Sequence, residues 1–575
     1  MRHLLAVCVS LTCAVPGFAA EQARQADAFV DSIGVNTHLH YTDTAYGNFS
    51  GVIKPRLAEL GIRHIRDGIV DDATKFARLR ELNRDLGIRS CLIASPRTQT
   101  AAQAQAYIKT LGPALVTMVE GENEPNLNLG SNWVALTRSH QRALFATFNN
   151  DAATRDVLIA GPSPTNNTGD LGNLTDALDV GNIHNYYGGH HPESGGWGGD
   201  GYGSVTWSLN SLASPVSGSK PVIATETGYH NSINTLHDHR GTDAAIVGRY
   251  MPRLFLYHFN RGIVRSYPYE LIDERNDAND PEASFGLLHS DGTPKPAFTS
   301  TKNLISALKD PGVSFAAGTL DFTLTGGSSD LQHTLLQKRD GTWYVALWRG
   351  LPSWDADTLS TISVASQTIT VRVNPDIVSA TTYRPGTGTT WTARAITNGA
   401  VTLSIDDQVT LLRLTPATEM VQVNFQPATS APPAGWLVDS GAVYSPQGNL
   451  SYGWNADNPT TRDRNDALSA DQVHDTFIHL QKPANPDAVW EAAVTSGTYQ
   501  VTLVAGDARF YDSHFVLNVE GITVLDGTPD TGHHWLESTA MVTVTDGRLT
   551  VRSGSGARNN KLCSISFVRQ LSATN

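Results

Sequence analysis

At 575 residues the chain is too long for one domain, and three are expected. Its formal net charge of −13 argues against a nucleic-acid partner, which would favour a basic face. No apolar run reaches membrane-spanning length, so no membrane partner is expected either.

The first 20 residues read apart from the fold. Arg2 and His3 precede an apolar run from Leu4 to Val15, then Pro16-Gly17-Phe18-Ala19-Ala20. That is the pattern of a secretory signal cleaved after Ala19 or Ala20, so a secreted or periplasmic protein is expected. Removing it leaves Cys91 and Cys563, which read as small buried hydrophobes rather than a disulfide framework.

From Asp31 onward strand and helix patterns alternate, with strands predicted at 32–36, 62–66, 88–94, 114–120, 156–161, 180–184, 221–225 and 263–267. Between them lie amphipathic helices such as 73–86, where Phe76, Leu79, Leu82 and Leu86 share one face. A junction recurs at Leu60-Gly61-Ile62-Arg63, at Leu86-Gly87-Ile88-Arg89 and more loosely around Gly262, with glycine where a helix stops. Eight such units predict an α/β fold of the (β/α)8 TIM-barrel type over 21–310. A doubly wound sheet is the alternative, but no glycine-rich phosphate turn follows the first strand.

The stretch 114–126, A-L-V-T-M-V-E-G-E-N-E-P-N, organises this region. Its apolar half fits a strand buried on both faces, and Pro125 stops that strand near Glu124. A second buried strand ends in Thr225-Glu226-Thr227-Gly228. Two carboxylates that each end a buried strand suggest a paired acid/base and nucleophile. The other strand ends add His38, His40, Arg66, His184, Tyr186, Tyr267, Tyr269, Glu270 and Glu274. Such a polar, aromatic and acidic mouth suits a sugar, whereas a phosphorylated substrate would want basic groups.

Asn123-Glu124-Pro125 and Thr225-Glu226-Thr227-Gly228 resemble the motifs of the large clan of retaining glycoside hydrolases. His184-Asn185-Tyr186 is similar to the clan's His-x-Tyr, and Arg66 to its second-strand arginine. The likeness covers about 31–310 and looks most like family 39 and related exopolysaccharide hydrolases. It implies Glu124 as acid/base and Glu226 as nucleophile, steadied by Tyr186 and Arg66. Asn123, His184, His38, His40, Tyr267 and Glu270 are the further expected substrate contacts. The clan often floors its subsite with a tryptophan after strand eight, where this chain offers Tyr267 and Tyr269.

Glu120 and Glu122 share strand parity with Glu124, and a structural role such as pairing with Arg66 is preferred for each. No consistent ligand spacing joins His38, His40, His190 and His191, so no metal and no cofactor is expected. His237-Asp238-His239 reads as a solvated loop. The glycine-rich stretch 188–203, with Trp197 and Tyr202 in it and Trp207 beyond, reads as a long mouth loop.

After Leu308 the period becomes two, which predicts a β-sandwich accessory domain over 311–417 with turns such as Asp340-Gly341. A linker at 415–420 leads to a further all-β unit over 421–575. Asn424-Phe425-Gln426-Pro427, Tyr452-Gly453-Trp454-Asn455 and Gly506-Asp507 resemble malectin-like β jelly rolls, which implies carbohydrate binding. Tyr511, Asp512, His514 and Trp535 are its candidate platform. The expectation is a glycosidase acting on a poly- or oligosaccharide, with endo-action on a β-glucan or bacterial exopolysaccharide first. An exo-acting β-xylosidase or α-L-arabinofuranosidase comes second, and a non-catalytic polysaccharide-binding protein third.

Overall fold

The computed structural model describes residues 19–166, 168–235, 239–312, 314–374, 376–388, 390–416, 420–448 and 450–570. The expected signal segment therefore falls almost wholly outside the described residues. Eight parallel strands form the first unit: β1 (Gly34–Asn36), β2 (His64–Gly68), β3 (Arg89–Ile93), β4 (Val116–Glu120), β5 (Leu158–Ala160), β6 (Gly181–Tyr186), β7 (Val222–Gly228) and β8 (Ile263–Pro268). Ladders join β1 through β5 and β6 through β8. Parallel bridges Ala160↔Val180 and Ile33↔Ser266 close the two arcs into a ring. Each strand feeds its carboxyl end to the same mouth, as a closed parallel ring requires.

The local chemistry explains the alternation. The helix Ala73–Leu86 starts where the Asp72 carboxylate accepts from the Lys75 amide at 2.7 Å, and it buries Phe76, Leu79 and Leu82. Its end at Gly87 and the end of Lys54–Leu60 at Gly61 are both left-handed, at φ of 69° and 77°. A residue with a Cβ is strained there, which is why the junction keeps glycine.

The second unit joins a four-stranded and a six-stranded sheet around one apolar core. It is built from Thr319–Thr325, Leu331–Gln337, Trp343–Arg349, Gln367–Val373, Ile377–Tyr383, Thr392–Arg394, Ala400–Ile405 and Thr410–Pro416. Its edge strands, however, come from the other end of the chain. Ala19–Gln22 pairs antiparallel with Thr319–Thr325, and Arg24–Gln25 pairs parallel with Leu331–Gln337. Residues 19–25 thus belong to this unit and not to the barrel expected from residue 21. Nor is 415–420 simply a linker, because Thr415 and Pro416 still pair with Ser379 and Ile377.

The barrel's outer core runs on into the second unit through Tyr344, Trp348, Trp354 and Leu411. The third unit, from Met420, has its own core. At its centre Asp439, 4% exposed, accepts from the indole N–H groups of Trp454 and Trp490, each at 2.8 Å. Cys91 and Cys563 are buried free thiols. Among the described residues no helix is long and apolar enough to cross a membrane.

Candidate active site

The site is built over a buried guanidinium. Arg66 projects from β2 into the ring, is 2% exposed, and has every N–H engaged. Its Nε and Nη2 donate to the two oxygens of Glu120 at 2.6 and 2.8 Å. Nη1 donates to Glu226 Oε1 at 2.7 Å and Asn36 Oδ1 at 3.0 Å, and Nη2 also reaches Asn123 Oδ1 at 2.6 Å. Glu120 is wholly buried and also accepts from Asn182, Thr225 and Ser163, so its charge is fully satisfied. The preferred structural reading of Glu120 therefore agrees with its place. Glu122 is buried as well, with its carboxyl pushed up by burial, and lies outside the cleft.

Strand β4 stops at Glu120, where the expected strand 114–120 ends, and Gly121 to Glu124 carry the chain on irregularly to the stop at Pro125. Glu124 takes a left-handed backbone, φ 45°, immediately before the short helix Pro125–Asn128. That conformation costs a non-glycine residue roughly 1–3 kcal/mol. Neighbours hold it in place: Asn123 bridges to Ser163, and the Asn128 amide donates to the Asn123 carbonyl at 2.8 Å. The Asn126 amide donates to Thr165 Oγ1 at 2.9 Å, joining the loops after β4 and β5.

Glu226 reaches the same space from β7. Its Oε2 accepts from the Tyr186 hydroxyl at 2.7 Å. His184 Nδ1 donates to Glu124 Oε1 at 2.9 Å and lies 3.5 Å from Glu226 Oε2. The nearest facing atoms of Glu124, His184 and Glu226 all fall within 4.8 Å of one another. The Glu226 side chain is 11% exposed, whereas the Glu124 side chain is 23% exposed.

These environments set the charges. Burial pushes the Glu226 carboxyl up, but His184, Arg66 and the Tyr186 hydroxyl outweigh it and hold the group down at about 2. Burial pulls His184 down, yet Glu226 and Glu124 together raise it above its ordinary 6.5.

A cleft of about 540 Å³ opens over the pair. Asn123, Asn128 and Thr165 line one flank, and Tyr269, Phe285, Glu282 and His239 are among its other walls. Tyr202 and Trp207 from the mouth loop also line it, while Trp197 stands behind Tyr202 and stacks on His190 at 4.8 Å.

Asn123, Arg66, His184 and Tyr186 thus converge on the two glutamates as expected. Four other expected contacts lie elsewhere. Tyr267 is fully buried in the barrel interior beside Cys91, Met118 and Ile223. Gly34 makes room for it, since a Cβ there would sit 2.4 Å from the Tyr267 ring. Tyr269, just past the end of β8, reaches the cleft in its place. Glu270 points the opposite way and is fully buried, accepting from the Tyr46 hydroxyl at 2.7 Å. His38 stacks on Tyr41 and lies 3.6 Å from Glu270, while His40 faces Lys75 and Asp67. Neither histidine lines the cleft.

His239, expected on a solvated loop, packs edge-on to Tyr186 with ring centroids 5.5 Å apart. His237 and Asp238 lie outside the described residues. Glu282 carries no motif that sequence reasoning could have used.

Two groups bring side-chain atoms close enough to share a cation: Glu124–His184–Glu226, and His38–Glu270–Glu274. In the first, internal hydrogen bonds already engage all three side chains. His190 belongs to neither group. In the third unit Tyr511, His534 and Trp535 form one aromatic cluster, whereas His514 turns to Asp526.

The mouth loop is anchored from outside the barrel. Glu193, on the loop after β6, accepts from the buried Arg253 and from Trp348 Nε1 at 2.6 Å. The loop after β7 is held where Trp354 Nε1 donates to the Gly241 carbonyl at 3.1 Å.

No family model matches the chain. No curated protein matches it either. Among solved structures it is similar to a family 39 glycoside hydrolase from the gut symbiont Bacteroides cellulosilyticus WH2, at 18% identity and a TM-score of 0.48, over 68% of this chain and 81% of that one. It is also similar to the GH51 arabinofuranosidase from Xanthomonas axonopodis pv. citri, at 12% identity and 0.41, over 70% and 98%. A glucosidase from Croceicoccus marinus matches at 8% identity and 0.42, over 96% and 98%.

Proposed function

We propose that this chain is a secreted retaining glycoside hydrolase that cleaves a poly- or oligosaccharide by double displacement. One observation carries the reading: one carboxyl oxygen of Glu124 and one of Glu226 come within 4.8 Å of each other at the cleft, too close for a water-admitting pair. Retaining pairs stand about 5–5.5 Å apart, and inverting pairs need roughly 6.5–9.5 Å to admit a water.

The environments divide the labour. Glu226, held ionised by Arg66, His184 and Tyr186, attacks the anomeric carbon. Glu124, the more exposed of the two, protonates the departing oxygen and later takes the proton of the attacking water. Asn123 has its Oδ1 tied to Arg66, which leaves its NH₂ to donate to the hydroxyl beside the reacting carbon. Tyr269 takes the floor position that the resemblance gives to tryptophan.

We assign 311–416 as a β-sandwich that braces the barrel, and 420–570 as a malectin-like jelly roll that binds carbohydrate. Endo-action on a β-glucan or bacterial exopolysaccharide is the leading reading, with exo-action as a β-xylosidase or α-L-arabinofuranosidase second. The test is incubation with a panel of polysaccharides and mass analysis of the products, followed by trapping with the matching 2-fluoro glycoside. Glu226 should carry the label. Label on another residue, or no new reducing ends from any polymer, defeats the reading.

A further inference from the structure

We infer, resting on the glycosidase reading above, that the sugars on either side of the scissile bond are uncharged, and that the cleft rejects uronates. Glu124, Glu226 and Glu282 line the cleft, and among the described residues no lysine or arginine does. The guanidinium beneath, Arg66, has all five N–H groups committed to Glu120, Glu226, Asn36 and Asn123. His184 is engaged by Glu124 and its side chain is 1% exposed.

A uronate entering this space would leave water without the forked cationic partner that normally compensates a buried carboxylate. It would also share a cleft of about 540 Å³ with the ionised Glu226 and with Glu282, whose repulsion salt screens only beyond roughly 8 Å. Tyr269 reads the same field: its phenol is pushed up by burial and then by Glu270, Glu226, Glu282 and Glu274. A neutral sugar meets compatible groups instead. The carboxylates accept from hydroxyls, Asn123 and Thr165 supply short polar contacts, and Tyr202 and Trp207 offer ring faces. Trp207 is fixed by its Nε1–H on Asp200 at 3.1 Å.

The test uses the full chain on matched pairs: polymers that carry uronate in the backbone, and the same polymers after chemical reduction of the carboxyl groups to primary alcohols. Neutral polysaccharides run alongside, at low and at high salt. Cleavage should fall at neutral–neutral linkages, and carboxyl reduction should raise the rate at a formerly uronate linkage at least tenfold. Added salt should help the residual cleavage beside uronates and leave neutral linkages unaffected. Product ends bearing uronate, formed within threefold of the rate on the reduced polymer, overturn this inference while leaving the glycosidase reading intact. Release of nothing from any polymer defeats the glycosidase reading, and this inference falls with it.

Discussion

Arg66 donates from Nη1 to Glu226 Oε1 at 2.7 Å while its other edge is locked on Glu120. The Glu226 charge is thus tied to a cation that already carries a permanent, fully buried counter-ion. Removing Arg66 would leave two buried carboxylates unpaired, which typically costs about 3–5 kcal/mol. Arg66→Met should lower the urea midpoint accordingly and abolish turnover. Adding Glu120→Leu should recover much of the stability and none of the activity. Recovery of activity in the double variant would show that Arg66 does not act through Glu226.

The two glutamates should fail in different ways. Glu226→Ala should abolish hydrolysis of every substrate. Glu124→Ala should slow natural glycosides by roughly 10²–10⁴ but spare glycosyl-enzyme formation from substrates with good leaving groups. Azide should rescue that variant and give a glycosyl azide of retained configuration, read by NMR. An inverted azide would reverse the assignment.

The acid limb of kcat/KM should lie well below pH 4.5, because Glu226 titrates at about 2. The depressed group contributes stability above its unfolded value of 4.5, and that contribution is lost as pH falls toward 2. His184 works in the opposite sense: its raised value contributes below 6.5 and is lost as pH climbs through the folded value. Tyr186→Phe removes a donor to the ionised form and should move the acid limb upward. An unmoved limb would mean that the hydroxyl does not hold the Glu226 charge.

Glu193 joins the mouth loop to Trp348 of the second unit and to the buried Arg253. Trp348→Phe should loosen this joint without stranding a charge. KM should rise several-fold with kcat less affected, and limited proteolysis should cut the loop faster. Unchanged KM and unchanged proteolysis would show that the loop is positioned by the barrel alone.

Deleting 420–575 should leave turnover of short oligosaccharides nearly intact and weaken binding to the polymer, through lost effective concentration. The separate core of the third unit motivates this. A folded truncation that has lost turnover of short substrates would place that unit in the active site.

Much of this arrangement was legible in the chain, and for physical reasons. A buried strand ending in glutamate and proline is a strong local signal, and Glu124 and Glu226 do meet. The helix-stop glycines marked the repeat because a left-handed residue leaves a compositional trace. Parity along β8 was harder to read. Nothing local separates Tyr267 from Tyr269; the hole left by Gly34, over 200 residues earlier, makes the difference. Glu270 lies beyond the end of β8, and the hydroxyl that satisfies it belongs to Tyr46. His239 and Glu282 sit on loops whose paths are set by tertiary packing, which periodicity does not encode.

The pairing of Glu21 and Gln22 with Leu320 and Thr319 also bears on how the molecule is made. During synthesis this edge strand emerges about 300 residues before its partner, since Glu21 meets Leu320. Every residue of the barrel must therefore be made before this sheet can close. Closing so long a loop is slow, and an unpaired strand edge invites other chains in the meantime. Refolding of the intact chain should show a late phase reported by this edge, after the barrel's own signals have settled. A chain begun after Gln25 should still form the ring, and it should be the more prone to aggregate.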